Sequence, residues 1–364
     1  MAEIRSLTKL RLDRFETPAL LKKVASASRQ LAEFKGVGAS IPNQGILINT
    51  LGLQEAKDSS AIENIITTHD ELFRDAAFPD AGGSAAAKEV MRYREALHTG
   101  FELVRKDRFI SANHIIRIQK ELEKNEAGFR KLPGTTLKDP AGKVVYTPPQ
   151  EHQAIVELMT DLERFINDPD LFPADPLIRM ALLHHQFESI HPFYDGNGRT
   201  GRIVNVLFLV LNGLLDIPIL YMSRHIVRTK TDYYRLLQSV RDLDTWEEWV
   251  AYILTAVEET ARQGIATVEA IKDALLDLKH RIRKDYKFYS QDLINNLFSF
   301  PYTKIQFIMN DLDVSRLTAT RYLDALADGG FLVKQRIGRT NYYVNARLVK
   351  ILSGEAMTAG EPAA

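Results

Sequence analysis

Between two apolar helical stretches the chain reads His191-Pro192-Phe193-Tyr194-Asp195-Gly196-Asn197-Gly198-Arg199-Thr200-Gly201-Arg202, and this segment limits the fold more sharply than any other. One helix runs in over Pro176–Ser189, a short loop turns, and a second helix runs out over Thr200–Leu215. Gly196 and Gly198 permit φ > 0 and a close backbone approach to a ligand, since neither carries a Cβ. The loop amides and the start of the outgoing helix then form a site for anions, with the positive end of the dipole behind them. Arg199 and Arg202 stand three apart in the first turn, so both can reach one anion with forked donors. Arginines at a helix start oppose its dipole unless an anion lies there. Asp195 is the loop's one carboxylate and suits a Mg²⁺ that bridges phosphate oxygens. His191, at the loop entrance, can take a proton from an incoming hydroxyl. Together these groups describe phosphoryl or nucleotidyl transfer.

A competing reading is a metal site, because His184, His185, Glu188 and His191 crowd together and His184 and Glu188 share a helix face at i, i+4. The order of the zinc peptidases, HExxH, is missing, and His184 and His185 read more simply as histidines satisfied within a core. With no cysteine in the chain, disulfides, thiolate catalysis and cysteine-based zinc sites are excluded. Lys+Arg 47 balance Asp+Glu 47, so no global charge marks a binder of polyanions. The apolar run Ile203–Leu220 is interrupted by Asn205, Asn212, Asp216 and Pro218, which fits a helix at the centre of a core better than a membrane span. The charged N-terminus lacks the apolar region of a signal peptide, and a cytoplasmic protein without a membrane partner is expected.

Helical patterns dominate elsewhere: Ala19–Phe34, Asn43–Phe73, Ala85–Val104, Ser111–Lys124 with Ser111 as cap, Gln150–Asn167, Thr231–Val240, and Trp246–Lys279 with a break near Gly264. Phe78–Ser84 reads as a loop. Thr135–Lys138 and Lys143–Thr147, joined by Asp139–Gly142, read as a β-hairpin. The fold class is therefore mainly α with a β-hairpin flap.

Residues 281–350 change character, holding 12 Lys/Arg against 6 Asp. Helices over Ser290–Phe298, Thr303–Asn310 and Ser315–Asp328 precede two short strands, FLVKQ and YYVN, joined by RIGRTN. That order outlines a C-terminal winged helix-turn-helix domain. Thr318, Thr320 and Arg321 fall on its second helix and Arg336 and Arg339 on its wing, where DNA contacts belong. Such domains also serve as dimerisation or spacer modules. The closing SGEAMTAGEPAA reads as a disordered tail.

His191–Arg202 matches every defined position of HxFx[D/E]GNGRxxR, so the chain resembles the Fic (filamentation induced by cAMP) family. The resemblance covers about residues 15–260, and the winged helix extends it to the multidomain bacterial Fic adenylyltransferases. It implies residues 1–105 as an N-terminal helical region, 106–262 as the Fic catalytic core, 263–352 as linker helix and winged helix, and 353–364 as tail. By resemblance, His191 is the general base for a target Ser, Thr or Tyr, and Asp195 binds Mg²⁺ on the phosphates of ATP. Gly196, Asn197 and Gly198 form the anion hole, Arg199 holds the β-phosphate and Arg202 the γ-phosphate. AMP would pass to the target, whose backbone docks on flap 135–147 by strand addition. Tyr233 falls where relatives set an aromatic against adenine, and Arg241 stands where relatives often carry Asn. The intact glycines and arginines set the chain apart from the phosphotransferase branch. Many relatives associate, so a homodimer is expected.

Ser59-Ser60-Ala61-Ile62-Glu63-Asn64 fits the family's inhibitory signature [S/T]xxxE[G/N], within a helix at about 56–72. Glu63 would then pair with Arg202 and occupy the place of the γ-phosphate. Ser60–Glu63 also reads as a capping box, S-x-x-E. In some relatives the same Glu positions a water that removes AMP. An alternative of another class is a DNA-binding regulator whose Fic fold senses nucleotide.

Overall fold

The computed structural model describes residues 4–68, 71–72, 84–139, 141–337 and 340–354. They form two compact units, one of Met1–Lys35, Glu55–Ile66 and Glu89–Arg262, the other of Gly36–Gln54, Thr67–Lys88 and Gln263–Ala364. The N-terminal third contributes to both units, and the first unit ends at Arg262.

Helices α1 (Pro18–Ala39), α2 (Gly45–Ile62), α3 (Ala85–Asp107), α4 (Ala112–Glu123), α5 (His152–Asn167), α6 (Pro176–Ile190), α7 (Asn197–Leu211), α8 (Met222–Arg228), α9 (Lys230–Leu243) and α10 (Trp246–Asp285) supply the first unit, with α1, α2, α3 and α10 contributing to both. Every residue of α6 from Leu177 to Ile190 is buried, as expected of a helix apolar on all sides. It packs on α5 and α7, and α7 packs on α4. Asp175 starts α6 by accepting from the Leu177 amide at 2.8 Å, with Pro176 in the first helical position. Ser111 starts α4 in the same way, through the His114 amide at 3.1 Å. Two polar contacts anchor α6: the Trp249 indole donates to the Ala181 carbonyl at 2.7 Å, and the Arg179 guanidinium, over the Phe165 ring, donates to the Phe165 and Asp168 carbonyls.

Two helices differ from expectation. A helix continuing from Asn43 to Phe73 is not formed, because α2 ends at Ile62 and Asn64 takes a left-handed φ of 63°. Asparagine tolerates that conformation, which makes it a helix stop. Phe73 and all of the Phe78–Ser84 loop but Ser84 lie outside the described residues. By contrast α10 runs unbroken through Gly264. A helical glycine costs only about 1 kcal/mol against alanine, and the buried stripe of Val257, Ala261, Val268 and Ile271 continues across it.

The flap is the expected hairpin in shortened form, β1 (Leu137–Lys138) antiparallel to β2 (Val144–Tyr146). Asp139 closes its turn, its carboxylate accepting from the Ala141 and Lys143 amides at 3.0 and 2.9 Å, with Gly142 at φ 81°.

In the second unit α11 (Gln291–Ser299), β3 (Tyr302–Lys304), α12 (Ile305–Leu312), α13 (Arg316–Asp328), β4 (Val333–Ile337), β5 (Thr340–Val344) and α14 (Ala346–Ser353) make a winged helix with sheet order β3-β5-β4. Tyr302–Lys304, expected to open a helix at Thr303, is instead a strand paired with residues 342–344. Local sequence cannot announce so remote a partner, although Tyr and Thr suit strands. Ser315 caps α13 through the Thr318 amide, the Thr320 hydroxyl returns to the Arg316 carbonyl, and Arg321 is exposed. Arg336 is exposed on β4. Arg339 and tail residues 355–364 lie outside the described residues, and Ser353, expected in the tail, closes α14. Among the described residues no helix is long and apolar enough to cross a membrane.

Close packing of α3 on α7 requires Gly100, where a Cβ would stand 2.5 Å from Leu207 Cδ1 and 2.9 Å from Ile118 Cδ1. Gly100→Val should therefore cost about 1–3 kcal/mol through overpacking, measured as a lower midpoint in urea with an unchanged slope.

Candidate active site

Helix α6 ends on His191, whose backbone is left-handed (φ 49°, ψ 59°) and whose amide bonds the Phe187 carbonyl at 2.9 Å. Pro192 follows and prevents continuation. The loop is then closed by Asn197, which accepts from the Phe193 amide at 2.8 Å and donates to the Phe193 carbonyl at 2.9 Å. Gly196, at φ 76°, precedes α7 as its cap residue without a capping side chain. The first-turn amides of α7 therefore face the loop with no intrahelical acceptor. Both polar atoms of the Asn197 side chain are thus bonded inside the loop.

Arg199 lies in the first turn of α7 and Arg202, expected beside it there, in the second, because the helix begins at Asn197; both are buried and both carry carboxylates. Arg202, 2 % exposed, donates from Nε to Ser59 Oγ at 2.8 Å and from Nη2 to the Ser59 carbonyl at 3.0 Å and Glu63 Oε1 at 2.9 Å. Burial alone would lower its pKa, but Glu63, with help from Tyr233 and Glu188, carries it above the usual arginine value. The same Glu63 Oε1 lies 2.3 Å from where a Cβ on Gly198 would stand, so the carboxylate fills the space over the helix start. Arg199 pairs with Glu123 at 2.8 Å and Glu89 at 3.1 Å. Glu123 Oε1 in turn sits 2.3 Å from a Cβ position on Gly196. Three acids thus meet the requirement that arginines at a helix start have an anion beside them.

The capping-box reading of Ser60–Glu63 does not hold, since Ser60 lies inside α2 and Glu63 just beyond its C-terminus. Asn64, next along, accepts from Lys230 Nζ at 3.0 Å.

Asp195 is exposed, and its Oδ1 accepts from the Gly196 amide at 2.7 Å. It has no ion-pair partner among the described residues, which leaves a carboxylate fit for a hard cation.

The His191 imidazole is half-buried and its pKa is pushed down to about 4, first by burial, then by the Arg241 and Arg130 charges, against the opposing pull of Glu63 and the Glu188 carbonyl. Arg130 was not visible as a site residue from sequence, yet it is wholly buried and joins both roots of the flap to the loop. Its Nε donates to the His191 carbonyl at 2.9 Å, its Nη2 to the Pro149 carbonyl, and its amide to the Pro192 carbonyl at 2.8 Å. The Tyr194 hydroxyl accepts from the Lys131 and Leu132 amides at 2.9 and 3.0 Å. Glu89, Glu123 and Tyr146 were likewise missed, because helical acids and a strand tyrosine carry no local sign of their distant partners.

Behind the loop lies an aromatic core. Tyr233 is 2 % exposed, and its hydroxyl bonds His184 Nε2 at 3.0 Å among Trp249 and Tyr252. So enclosed, the Tyr233 ring has no open face for a base; its neighbour Tyr234 is the exposed ring, at 44 %. His185 Nε2 bonds the Leu237 carbonyl at 3.1 Å, so each histidine has one ring nitrogen bonded within the core, while its Nδ1 is buried without a partner. Burial pushes the Glu188 carboxyl up to about 7.

Since the folded His191 pKa lies below its ordinary 6.5, the neutral ring contributes stability that is present above pH 6.5 and lost as pH falls toward 4. NMR of the His191 ring should show a midpoint near 4, and His191→Asn should flatten that part of the acid dependence of stability. A midpoint at the ordinary histidine value would contradict the buried, cation-flanked geometry.

Comparison with known proteins agrees with this architecture. The Fic/DOC family N-terminal model matches residues 21–102, the Fic/DOC family model residues 109–209, and the model of the C-terminal domain of SoFic-like protein adenylyltransferases residues 276–348. The protein adenylyltransferase fic-1 of Caenorhabditis elegans is 28% identical over 129 residues, covering 35% of this chain and 24% of that protein. The protein adenylyltransferase Fic of Nematostella vectensis is 27% identical over 189 residues, covering 49% of this chain and 40% of that one. The matches therefore span less than half the length of these curated relatives. A Fic family protein from Desulfovibrio desulfuricans G20 shares the fold with a TM-score of 0.58 at 21% identity, over 90% of this chain and 96% of that one. Fic-1 from Caenorhabditis elegans does so with a TM-score of 0.53 at 20% identity, over 69% and 74%. With three domain models in the expected order around an intact loop, the chain belongs to the Fic/DOC family and carries that family's N-terminal domain and a SoFic-like C-terminal domain.

Proposed function

We propose that this chain is a protein adenylyltransferase that moves AMP from Mg²⁺-ATP to Ser, Thr or Tyr hydroxyls of target proteins and of itself, and that Glu63 restrains it. The observation that carries the reading is the Glu63 carboxylate, bonded to Arg202 at 2.9 Å and lying over Gly198 at the start of α7. A carboxylate so placed stands where a helix start and an arginine would otherwise draw a phosphate.

In this reading the neutral His191 imidazole accepts the proton of the target hydroxyl as its oxygen attacks the α-phosphorus. The new O–P bond forms as the bond to the β-phosphate oxygen breaks, and pyrophosphate leaves. Arg199, Arg202 and the amides of Gly196, Asn197 and Gly198 hold the phosphates and offset the charge that develops. Mg²⁺, when bound at Asp195, neutralises phosphate charge. Arg199 and Arg202 must first exchange their protein carboxylates for phosphate oxygens. The flap supports strand addition by a target, since Val144 and Val145 are 46% and 44% exposed on β2. Glu63 orienting a water at the same site would run the reverse task, removal of AMP.

A second reading concerns the winged helix. Arg316 and Arg321 are exposed on α13 and Arg336 on β4, cations of the kind that meet a nucleic-acid backbone. Lys334 is committed elsewhere, to Asp324 at 2.7 Å.

Mass spectrometry after incubation with ATP and Mg²⁺ tests the first reading. Glu63→Gly should gain one AMP and wild type far less, while His191→Ala in either background should gain none. No gain in Glu63→Gly, on itself or on lysate proteins, would remove the proposal. For the second reading, gel shifts on genomic fragments should weaken at least threefold with Arg321→Ala; a shift that ignores Arg321 would remove those cations as the contact.

A further inference from the structure

Arg241, on α9, touches the flap and the end of α6 at once. Its guanidinium lies over the Tyr146 ring of β2, 3.8 Å from the centroid. From the same group Nε donates to Ser189 Oγ at 3.1 Å, Nη2 to the Glu188 carbonyl at 3.2 Å and Nη1 to Gln238 Oε1 at 3.2 Å. Tyr146 completes a triangle by donating its hydroxyl to the Ser189 carbonyl at 2.9 Å. Glu188 and Ser189 are the residues that lead into His191, so the strand that would carry a target is fastened to the segment that carries the base. Arg130 fastens the flap's two roots to the His191 carbonyl, but nothing else described holds the strand itself in the same way.

We propose that Arg241 is a positioning residue: it fixes β2 against the end of α6, so that a hydroxyl presented along the flap meets the His191 imidazole. The inference rests on the adenylyl-transfer reading of the site. Only a planar, forked cation can stack on an aromatic ring while donating in plane to two acceptors, and a lysine cannot. Arg241 also sets the charge around the base. The groups that act on the ring are Arg241 from α9, Arg130 from the flap root, Glu63 from the end of α2 and the Glu188 carbonyl from α6. The two cations favour the neutral ring, and Glu63 opposes them. Removing Arg241 should let the imidazole hold its proton to higher pH, which moves the acid limb of the rate upward.

The test uses the full chain carrying Glu63→Gly, with labelled ATP, lysate proteins and the chain itself as acceptors, and amide hydrogen exchange at residues 144–146. Adding Arg241→Gln should slow transfer at least tenfold, raise the half-rate pH on the acid side by a unit or more, and speed exchange at 144–146 about tenfold. Arg241→Lys should keep the pH midpoint yet lose the flap protection, because it keeps the charge and not the fork. Unchanged exchange and an unchanged pH midpoint in Arg241→Gln would overturn the proposal. Should Arg241→Gln loosen α6 and α7 as well, Tyr146→Leu, which removes the ring under Arg241, decides: faster exchange confined to the flap supports the clamp, and none overturns it. Failure of Glu63→Gly alone to transfer AMP would sink the transfer reading, while the exchange at 144–146 would still decide whether Arg241 holds the flap.

Discussion

The loop between α6 and α7 depends on one carboxamide. Asn197 returns both of its polar atoms to Phe193, giving that residue's amide an acceptor and its carbonyl a donor. A turn with neither strand nor sheet to satisfy it would otherwise bury two unpaired backbone groups, each costing about 1–3 kcal/mol. An aspartate could accept from the amide but could not donate to the carbonyl. By closing the turn there, Asn197 fixes where α7 begins, and so places Arg199 third and Arg202 sixth along it, in its first and second turns.

Having arginines at that position creates an electrostatic problem, which the fold solves with its own acids. Glu63 answers Arg202, and Glu89 and Glu123 answer Arg199. Each of the two loop glycines lacks a Cβ where one of these carboxylates lies, Gly198 beneath Glu63 and Gly196 beneath Glu123. The glycines therefore serve the resting state as well as any ligand. The two buried arginines are kept charge-balanced by neighbours within the fold.

Much of this was legible in the residues because it is local. The central helices, the glycine turn, the Ser111 cap and the flap hairpin follow from apolar periodicity and turn chemistry within a few residues. The Glu63–Arg202 pairing joins distant segments and was read only because a family signature singled out both ends. What escaped was decided by partners remote in sequence. Arg130 is one more basic residue before a hairpin until its guanidinium meets His191 and Pro149. Tyr302–Lys304 looks like a helix start until β5 pairs with it. Tyr233 reads as a base-stacking ring until the packing of His184, Trp249 and Tyr252 encloses it. The stop at Asn64 was in plain view, but an asparagine inside a long apolar pattern gives weak notice of a left-handed residue.

Glu63 sits not within a helix but on its unravelling edge. Beyond Ile62 the chain is held by the Asn64 amide on the Ala61 carbonyl, the Ile65 amide on the Ser60 carbonyl, and Lys230 on the Asn64 side chain. Terminal turns open with free energies near the low end of the range, far below that of global unfolding. Withdrawal of the carboxylate therefore requires that its pairing with Arg202 break and that a helix tip peel back, with the rest of α2 left wound. If Glu63 is the restraint proposed above, it is mounted as a spring catch, which would lift and reseat by local fraying while the scaffold beneath it stays intact.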